Sequence, residues 1–221
     1  VEAALTYKDL SFSFAKILHV DRIQIDELPD RHGTLCITAV LDADLESEIF
    51  FQVPETMSLF YQDGAERKTL FSGMLFCSSM KRKGKYLYLD LEAKTHTYRM
   101  DIRKETRSFQ DTNETGSQVV REILKQYPDC ICKEHFSDGP TGQFLLQYEE
   151  TDWEFLKRLA GKYRSRLYPQ ASMEAPAFLF GFPKAREDWV LAPDFFTSSV
   201  SFDAYENIKA NKDPCVLPHS G

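Results

Sequence analysis

The hydrophobic period of the chain changes near residue 112, and this change constrains the fold more than any other feature. Before it, apolar residues occur in short alternating or continuous runs that are typical of strands. After it, two stretches repeat their apolar residues at the spacing of a helix face. The sequence therefore predicts a barrel-like or sandwich-like antiparallel β domain over residues 1–107, followed by an α+β domain over residues 108–182.

Six runs in the first half are predicted strands. The clearest is Lys85–Leu91, which follows the basic turn Lys81–Lys85 and alternates large apolar with other side chains. The segment Gln62–Ala65 signals a second hairpin, because Asp-Gly tolerates the positive φ of tight turns. The other predicted strands are Leu10–Phe14, Leu35–Leu41, Ile49–Val53, Ser58–Tyr61 and Thr69–Ser78.

Two capping boxes predict the starts of two helices. Thr115 with Gln118 precedes an apolar face that runs from Val119 to Tyr127, and Thr151 with Glu154 precedes a second such face. Strands are predicted around them at Gln143–Tyr148, Arg166–Tyr168, Ala177–Gly181 and Val200–Lys209. Residues 183–221 are expected to be a truncated C-terminal tail or the start of a second β unit.

Composition excludes several classes of protein. The 221 residues carry 27 basic and 34 acidic side chains, and a net charge of −7 argues against unspecific attraction to nucleic acid or anionic lipid. No apolar run approaches the roughly 18 residues that span a bilayer, and no signal peptide is visible. Five irregularly spaced cysteines indicate free thiols in a reducing compartment, with Cys36 and Cys77 expected to be small buried hydrophobic residues.

One cluster has the residue types of a metal site. Cys130, Cys132 and His135 lie close in sequence, and Cys215 and His219 could supply further ligands. A zinc site usually takes four ligands from two separated pairs, and this spacing matches no standard finger or ribbon. The favoured interpretation is a plain β-strand with incidental thiols, so we expect no metal.

The acidic run at residues 149–154 allows a catalytic hypothesis. Glu149 and Asp152 could form a hydrolase carboxylate pair, with Glu150 beside them and Trp153 as an aromatic platform. The structural interpretation is stronger, because acidic residues in the first turn of a helix complement its dipole and Glu154 completes a capping box. No G-x-S-x-G, P-loop or G-x-G-x-x-G motif is present, and the basic turn Lys81–Lys85 is interpreted as a solvated hairpin tip. We therefore expect no enzymatic activity, no catalytic residues and no cofactor.

Three motifs, taken in order, resemble a known family. They are Phe71-Ser72-Gly73 before a hairpin, Arg107-Ser108-Phe109-Gln110 before the helix containing Val120-Arg121-Glu122-Ile123-Leu124, and the run from Gln147 through Thr151-Asp152 and Phe155-Leu156 to Arg158-Leu159. They are similar to the F-x-G, R-x-F-Q and Q-Y-x-E-S/T-D-x-x-F-L-x-R-L segments of baseplate hub proteins of contractile injection systems. That family includes phage late-control protein D, the VgrG spike of type VI secretion and phage tail hubs. The resemblance covers residues 70–182 well and the N-terminal strands by pattern.

The resemblance implies both a fold and a function. The implied fold is α+β and predominantly antiparallel β, with a barrel-like β domain resembling tail-tube proteins followed by a smaller α+β domain with two helices. The implied function is a structural hub that adapts a six-fold tube to a three-fold spike and lines the lumen. Its partners would be two further copies in a homotrimer, a tail tube protein and a spike protein, with no nucleic acid, in a particle assembled in the cytoplasm. The alternative from another class is a carbohydrate-binding or adhesion β module that uses Trp153, Trp189 or tyrosines as stacking platforms.

Overall fold

A computed structural model describes residues 10–13, 17–42, 55–63, 65–84, 86–182 and 199–202. Two α-helices occur in these ranges, α1 (Gly116–Leu124) and α2 (Asp152–Lys162), together with a 3₁₀ helix (His96–Asp101). The strands of these ranges are β1 Leu10–Phe12, β2 Ile17–Asp26, β3 Thr34–Asp42, β4 Thr56–Asp63, β5 Glu66–Lys83, β6 Tyr86–Thr95, β7 Lys104–Phe109, β8 Ile131–His135, β9 Leu145–Thr151, β10 Arg166–Pro169, β11 Ala177–Gly181 and β12 Ser199–Phe202. None of the helices in the described ranges is long and apolar enough to cross a bilayer.

Seven of these strands form one curled antiparallel sheet with the order β1-β4-β5-β6-β3-β2-β12. Alternate side chains of the central strands point to its inner face, where Leu35, Ile37, Leu87 and Leu89 are almost fully buried. The first hydrophobic core lies on this face. The barrel-like β domain of the predicted α+β fold is confirmed.

The sequence patterns missed β2, because two bulges break its alternation. The register with β3 shifts between Ile17 and His19 and again between Val20 and Arg22. Each bulge adds one residue, so buried positions no longer recur at every second residue. The described part of the predicted strand Val200–Lys209 lies within β12, which pairs with β2. The predicted strand Ile49–Val53 lies outside the described residues.

Gly73 explains why the F-x-G motif suits this sheet. It lies opposite Thr95, where β5 meets the end of β6. A Cβ at this position would lie 2.2 Å from the carbonyl oxygen of Lys94, which no side chain can accommodate without moving the backbone. Phe71 of the same motif is completely buried in the first core. β6 continues past its predicted end at Leu91 to Thr95, and the 3₁₀ helix follows.

The second hydrophobic core is built from residues 100–180 around α1 and α2. β7 and β9 form a two-stranded antiparallel sheet, while β8, β11 and β10 form a three-stranded sheet in which β8 and β11 are parallel. The capping boxes predicted for both helices are confirmed, since Thr115 and Thr151 each accept a hydrogen bond from the residue three positions later. The predicted boundary between residues 107 and 108 falls within β7 and, like the rest of the domain division, stays a prediction.

The β2–β3 loop (residues 27–33) connects the large sheet to the second core. Asp30 adopts a left-handed φ of 63°, and its carboxylate accepts from the backbone N–H of Leu167 and from the Arg166 guanidinium, both at 2.9 Å. The Glu27 carboxyl accepts from the N–H of Ala171 at 2.7 Å. His32 lies within hydrogen-bond distance of Thr97 and Asp101. The loop is therefore hydrogen-bonded to the 3₁₀ helix, β10 and the residues after β10.

Cys36 and Cys77 are not buried as predicted. Cys36 is half-buried and Cys77 is exposed. Both face Glu92 of β6 in the strand register, on the side of the sheet opposite the first core. The prediction was wrong because it inferred burial of both thiols from the apolar runs that contain them, whereas only one face of these strands carries the core.

Candidate functional site

The hub-like signature around Asp152 forms a buried polar cluster rather than an open site. Asp152 is fully buried, and its carboxylate accepts from the Arg107 guanidinium at 2.8 Å, from the Gln147 amide at 2.9 Å and from the Tyr127 hydroxyl at 3.0 Å. Burial and the neighbouring Asp152 carboxylate raise the pKa of Tyr127, so this hydroxyl remains a donor. We call these four residues the signature cluster, which joins β7, β9, α2 and the segment after α1.

Two other acidic residues of this segment, Glu154 and Glu150, have structural partners too. The Glu154 carboxylate accepts from the backbone N–H of Thr151 at 2.9 Å, as a capping box requires. Glu150 pairs with Arg158 at 2.8 Å. The carboxylate of Asp152 is closed off from solvent, whereas Glu149 is exposed. The hydrolase hypothesis for Glu149 and Asp152 therefore lacks the second reachable carboxylate that hydrolysis requires.

Trp153 cannot act as a stacking platform for a sugar. Its side chain is 1% exposed and lies between His32 and Phe178, with ring centroids 4.7 Å and 5.6 Å away. This burial counts against the part of the carbohydrate-binding alternative in which Trp153 is a stacking platform. Trp189 lies outside the described residues.

The thiols of the metal-like cluster pack as part of the second core. Cys130 and Cys132 are half-buried against it. Cys130 directly precedes β8, Cys132 lies within it and His135 ends it. Burial raises the pKa of Cys130 to about 12 and that of Cys132 well above its usual value, so both thiols are protonated near neutral pH. Zinc binds the thiolate, so this environment suits the strand interpretation better than a metal site. Cys215 and His219 lie outside the described residues, and in the described part of the chain no three His, Cys, Asp or Glu side chains converge as metal ligands.

An exposed apolar stripe runs along the two-stranded sheet. Phe144, Leu146 and Tyr148 alternate along the chain and are 53%, 44% and 67% exposed. Among the described strands β9 pairs only with β7, and on its other side Arg158 donates to the carbonyl oxygen of Leu146 at 2.6 Å. Three large apolar side chains in a row on one exposed face are typical of a protein contact surface. The sequence carried this signal in its alternation, but it could not show that the face remains uncovered.

A polar pocket of about 420 Å³ lies where the large sheet meets the second core. Its lining comes from four segments: Glu55 just before β4 with Thr56 and Ser58 of β4, Ser72 and Met74 of β5, His96 and Arg99 of the 3₁₀ helix, and Glu174 of the β10–β11 loop. We call it the junction pocket. Sequence reasoning missed it, because its residues come from four segments that only the fold brings together.

The basic turn predicted at Lys81–Lys85 lies at the tip of the β5–β6 hairpin. Lys81, Arg82 and Lys83 are exposed at the end of β5, and Gly84 has the positive φ of 62° that a tight turn requires. The described part of this turn therefore fits a solvated hairpin tip.

Comparison with solved structures relates this fold to tail-associated proteins. The E. coli c3393 protein is a component of the type VI secretion system that exhibits structural similarity to T4 bacteriophage tail proteins gp27 and gp5. It matches 77% of this chain and 48% of its own at 15% identity, with a TM-score of 0.51. The prophage MuSo2 43 kDa tail protein from Shewanella oneidensis matches 79% of this chain and 52% of its own at 14% identity, with a TM-score of 0.57. The tail protein from Neisseria meningitidis MC58 matches 82% of this chain and 52% of its own at 12% identity, with a TM-score of 0.53.

The likeness is one of fold. No protein-family model matches the chain, and no curated protein sequence matches it. The chain spans about half the length of the solved proteins that it resembles. This chain therefore shares a fold with about half of each of these phage tail and type VI secretion proteins.

Proposed function

We propose that the chain is a structural, non-enzymatic hub component of a contractile injection machine, either a phage tail or a type VI secretion-like apparatus. In this role it adapts a six-fold tube to a three-fold spike and lines the lumen as part of a homotrimer assembled in the cytoplasm. The observation that carries the proposal is the shared fold, which extends over 77% to 82% of the chain in three tail-associated structures.

The signature cluster supports the proposal in physical terms. The residues that resemble the hub signature hold β7, β9 and α2 together. Leu146 and Tyr148 of β9, with Phe144 just before it, form the exposed stripe on the other face. A rigid strand that presents large apolar side chains suits a subunit contact better than a catalytic site. We assign this stripe to a contact with another subunit or with the tube or spike protein.

The test is the oligomeric state of the longest native chain. Light scattering of that chain, alone and mixed with the spike protein encoded beside it, is expected to give a homotrimer or a complex with three copies. The double variant Leu146→Ser/Tyr148→Ser is expected to weaken the assembly at least tenfold, whereas Leu18→Ser, which removes an isolated exposed leucine from β2, leaves it unchanged.

Two results would count against these assignments separately. A monomer under all conditions, including the mixture with the spike, would refute the hub function. A trimer that is unchanged in the Leu146→Ser/Tyr148→Ser variant would leave the hub function in place and refute the role of the stripe.

A further inference from the structure

We propose that the junction pocket binds a single arginine or lysine side chain presented by a partner chain. The pocket opens between β4, β5, the 3₁₀ helix and the β10–β11 loop, and its volume is about 420 Å³. This volume is at the small end of the range for ligand sites, and one long side chain can enter it.

The floor of the pocket is a hydrogen-bonded row of buried polar side chains. The Ser58 and Ser72 hydroxyl oxygens are 2.9 Å apart, and Ser72 Oγ is 3.2 Å from His96 Nε2. Ser72 is 2% exposed and His96 is 5% exposed. The row uses only one nitrogen of the imidazole, and Nδ1 of His96 forms no hydrogen bond with the described residues. Nδ1 is not a buried atom without a partner, so it is open to solvent and can form a hydrogen bond with a ligand in the pocket.

The imidazole offers an acceptor to this ligand. Burial, reinforced by the Arg99 guanidinium, lowers the pKa of His96, so the ring is neutral at pH 7. A neutral ring has one donor and one acceptor nitrogen. In our assignment Nε2–H donates to Ser72 Oγ, and Nδ1 accepts from the ligand.

The rim of the pocket is negatively charged. Glu55 and Glu174 are both exposed, and neither forms an ion pair or a side-chain hydrogen bond with the described residues. The cation on the rim, Arg99, is already paired with Asp129 at 2.6 Å. The two glutamates therefore leave an excess of negative charge that a cationic ligand would neutralise.

A basic side chain fits both features. Lysine has three donors and arginine has five, both carry a positive charge, and neither has an acceptor that would compete for the same role. An anion would be repelled by the two carboxylates, and an apolar side chain would leave Nδ1 of His96 unpartnered. The planar guanidinium can reach a carboxylate and the imidazole together, so arginine is expected to bind more tightly than lysine.

The experiment is an NMR titration of the full chain with N-acetyl-arginine amide. The matched control probe is N-acetyl-citrulline amide, which has a similar shape and no charge. We expect saturable shifts at Ser58, Ser72 and His96 with the arginine probe, and binding of the citrulline probe that is at least tenfold weaker. Shifts that do not saturate, or equal binding of the two probes, would overturn the proposal.

A variant pair tests the role of the rim. Glu55→Gln/Glu174→Gln removes both charges and is expected to weaken binding of the arginine probe about tenfold, because each exposed ion pair contributes a few-fold. Glu122→Gln, which removes a charge from the exposed side of α1, should leave binding unchanged. Unaltered binding by the double variant, with its fold verified by circular dichroism, would refute the assignment. The probe requires no assembled particle, so this outcome is independent of the proposed hub function.

Discussion

At the scale of single residues, Asp152 links three side chains in the second core. Its carboxylate accepts from Arg107, Gln147 and Tyr127, and Arg107 is itself mostly buried. Asp152→Ala would leave the guanidinium without its counter-charge, a change that typically lowers the free energy of unfolding by about 3 to 5 kcal/mol. Urea unfolding followed by circular dichroism measures this loss.

The matched control is Glu150→Gln. Glu150 forms an ion pair with Arg158 at the surface, and such pairs contribute about 1 kcal/mol or less. If the two substitutions changed the unfolding midpoint equally, the signature cluster would have no special role in stability.

Two glycines give a second prediction at this scale. Gly73→Ala is expected to destabilise the chain by more than 2 kcal/mol, because its Cβ would collide with the Lys94 carbonyl oxygen. Gly161→Ala in α2 meets open space and is expected to stabilise by about 0.5 to 1 kcal/mol through helix propensity. Thermal melts of both variants check whether the two stability changes have opposite signs. A Gly73→Ala variant as stable as the native chain would contradict the packing described for the F-x-G motif.

At the scale of elements, the two helices share one start motif but differ in its connections. Thr115 caps α1 and also interacts through its side chain with the exposed Asp138 carboxylate, whereas Thr151 caps α2 and donates its hydroxyl hydrogen bond to the half-buried Asp101. Thr115→Ala is therefore expected to lower the free energy of unfolding by about 1 kcal/mol, and Thr151→Ala by about 2 kcal/mol. Denaturant unfolding measures both losses.

Serine provides the control for both caps. Thr115→Ser and Thr151→Ser retain the hydroxyl oxygen and are expected to recover most of the stability that alanine removes. Equal losses for the two alanine variants would show that the bond from Thr151 to Asp101 adds no more than the interaction of Thr115 with Asp138.

Local chemistry made some elements predictable and left others hidden. The capping boxes, the β5–β6 hairpin and the run at Leu35–Leu41 rest on neighbouring residues, so the sequence alone identifies them. β2 was not predicted, because its bulges depend on the pairing with β3. Cys36 and Cys77 were wrongly predicted to be buried, because burial depends on which face of the sheet carries the core. The signature segment was recognised, but that Asp152 lies under Arg107 and Tyr127 follows only from the packing of separate elements.

At the scale of the whole molecule, Glu27 makes the contact between the β2–β3 loop and the segment after β10 sensitive to pH. Burial raises the pKa of this carboxyl from its usual 4.5 to about 7. The folded state therefore binds the proton more tightly than the unfolded state, and this stabilisation is complete below pH 4.5 and lost as the pH rises through 7. Glu27→Gln, which stays neutral and can still accept from Ala171, is expected to gain about 1 to 3 kcal/mol over the native chain between pH 5 and pH 8.

Comparing the native chain with the Glu27→Gln variant separates the contribution of Glu27 to stability from that of other titrating groups. His32 lies in the same loop and has a lowered pKa through burial, so its contribution runs in the opposite direction and is lost as the pH falls. Urea unfolding of both chains at each pH cancels this shared term. A stability difference that does not change with pH would contradict the raised pKa of Glu27.

The pairing of β12 with β2 has a consequence for how the chain is made. Ile25 is bonded in register to Val200, so an outer strand of the large sheet is supplied long after its neighbour has left the ribosome. The entire second core is synthesised in between. During that interval the edge of β2 is available to strands of other nascent chains, and crowded polysomes would favour mispairing there. Faster translation of residues 183–202, or a chaperone that covers this edge, is expected to raise the yield of correctly folded chain.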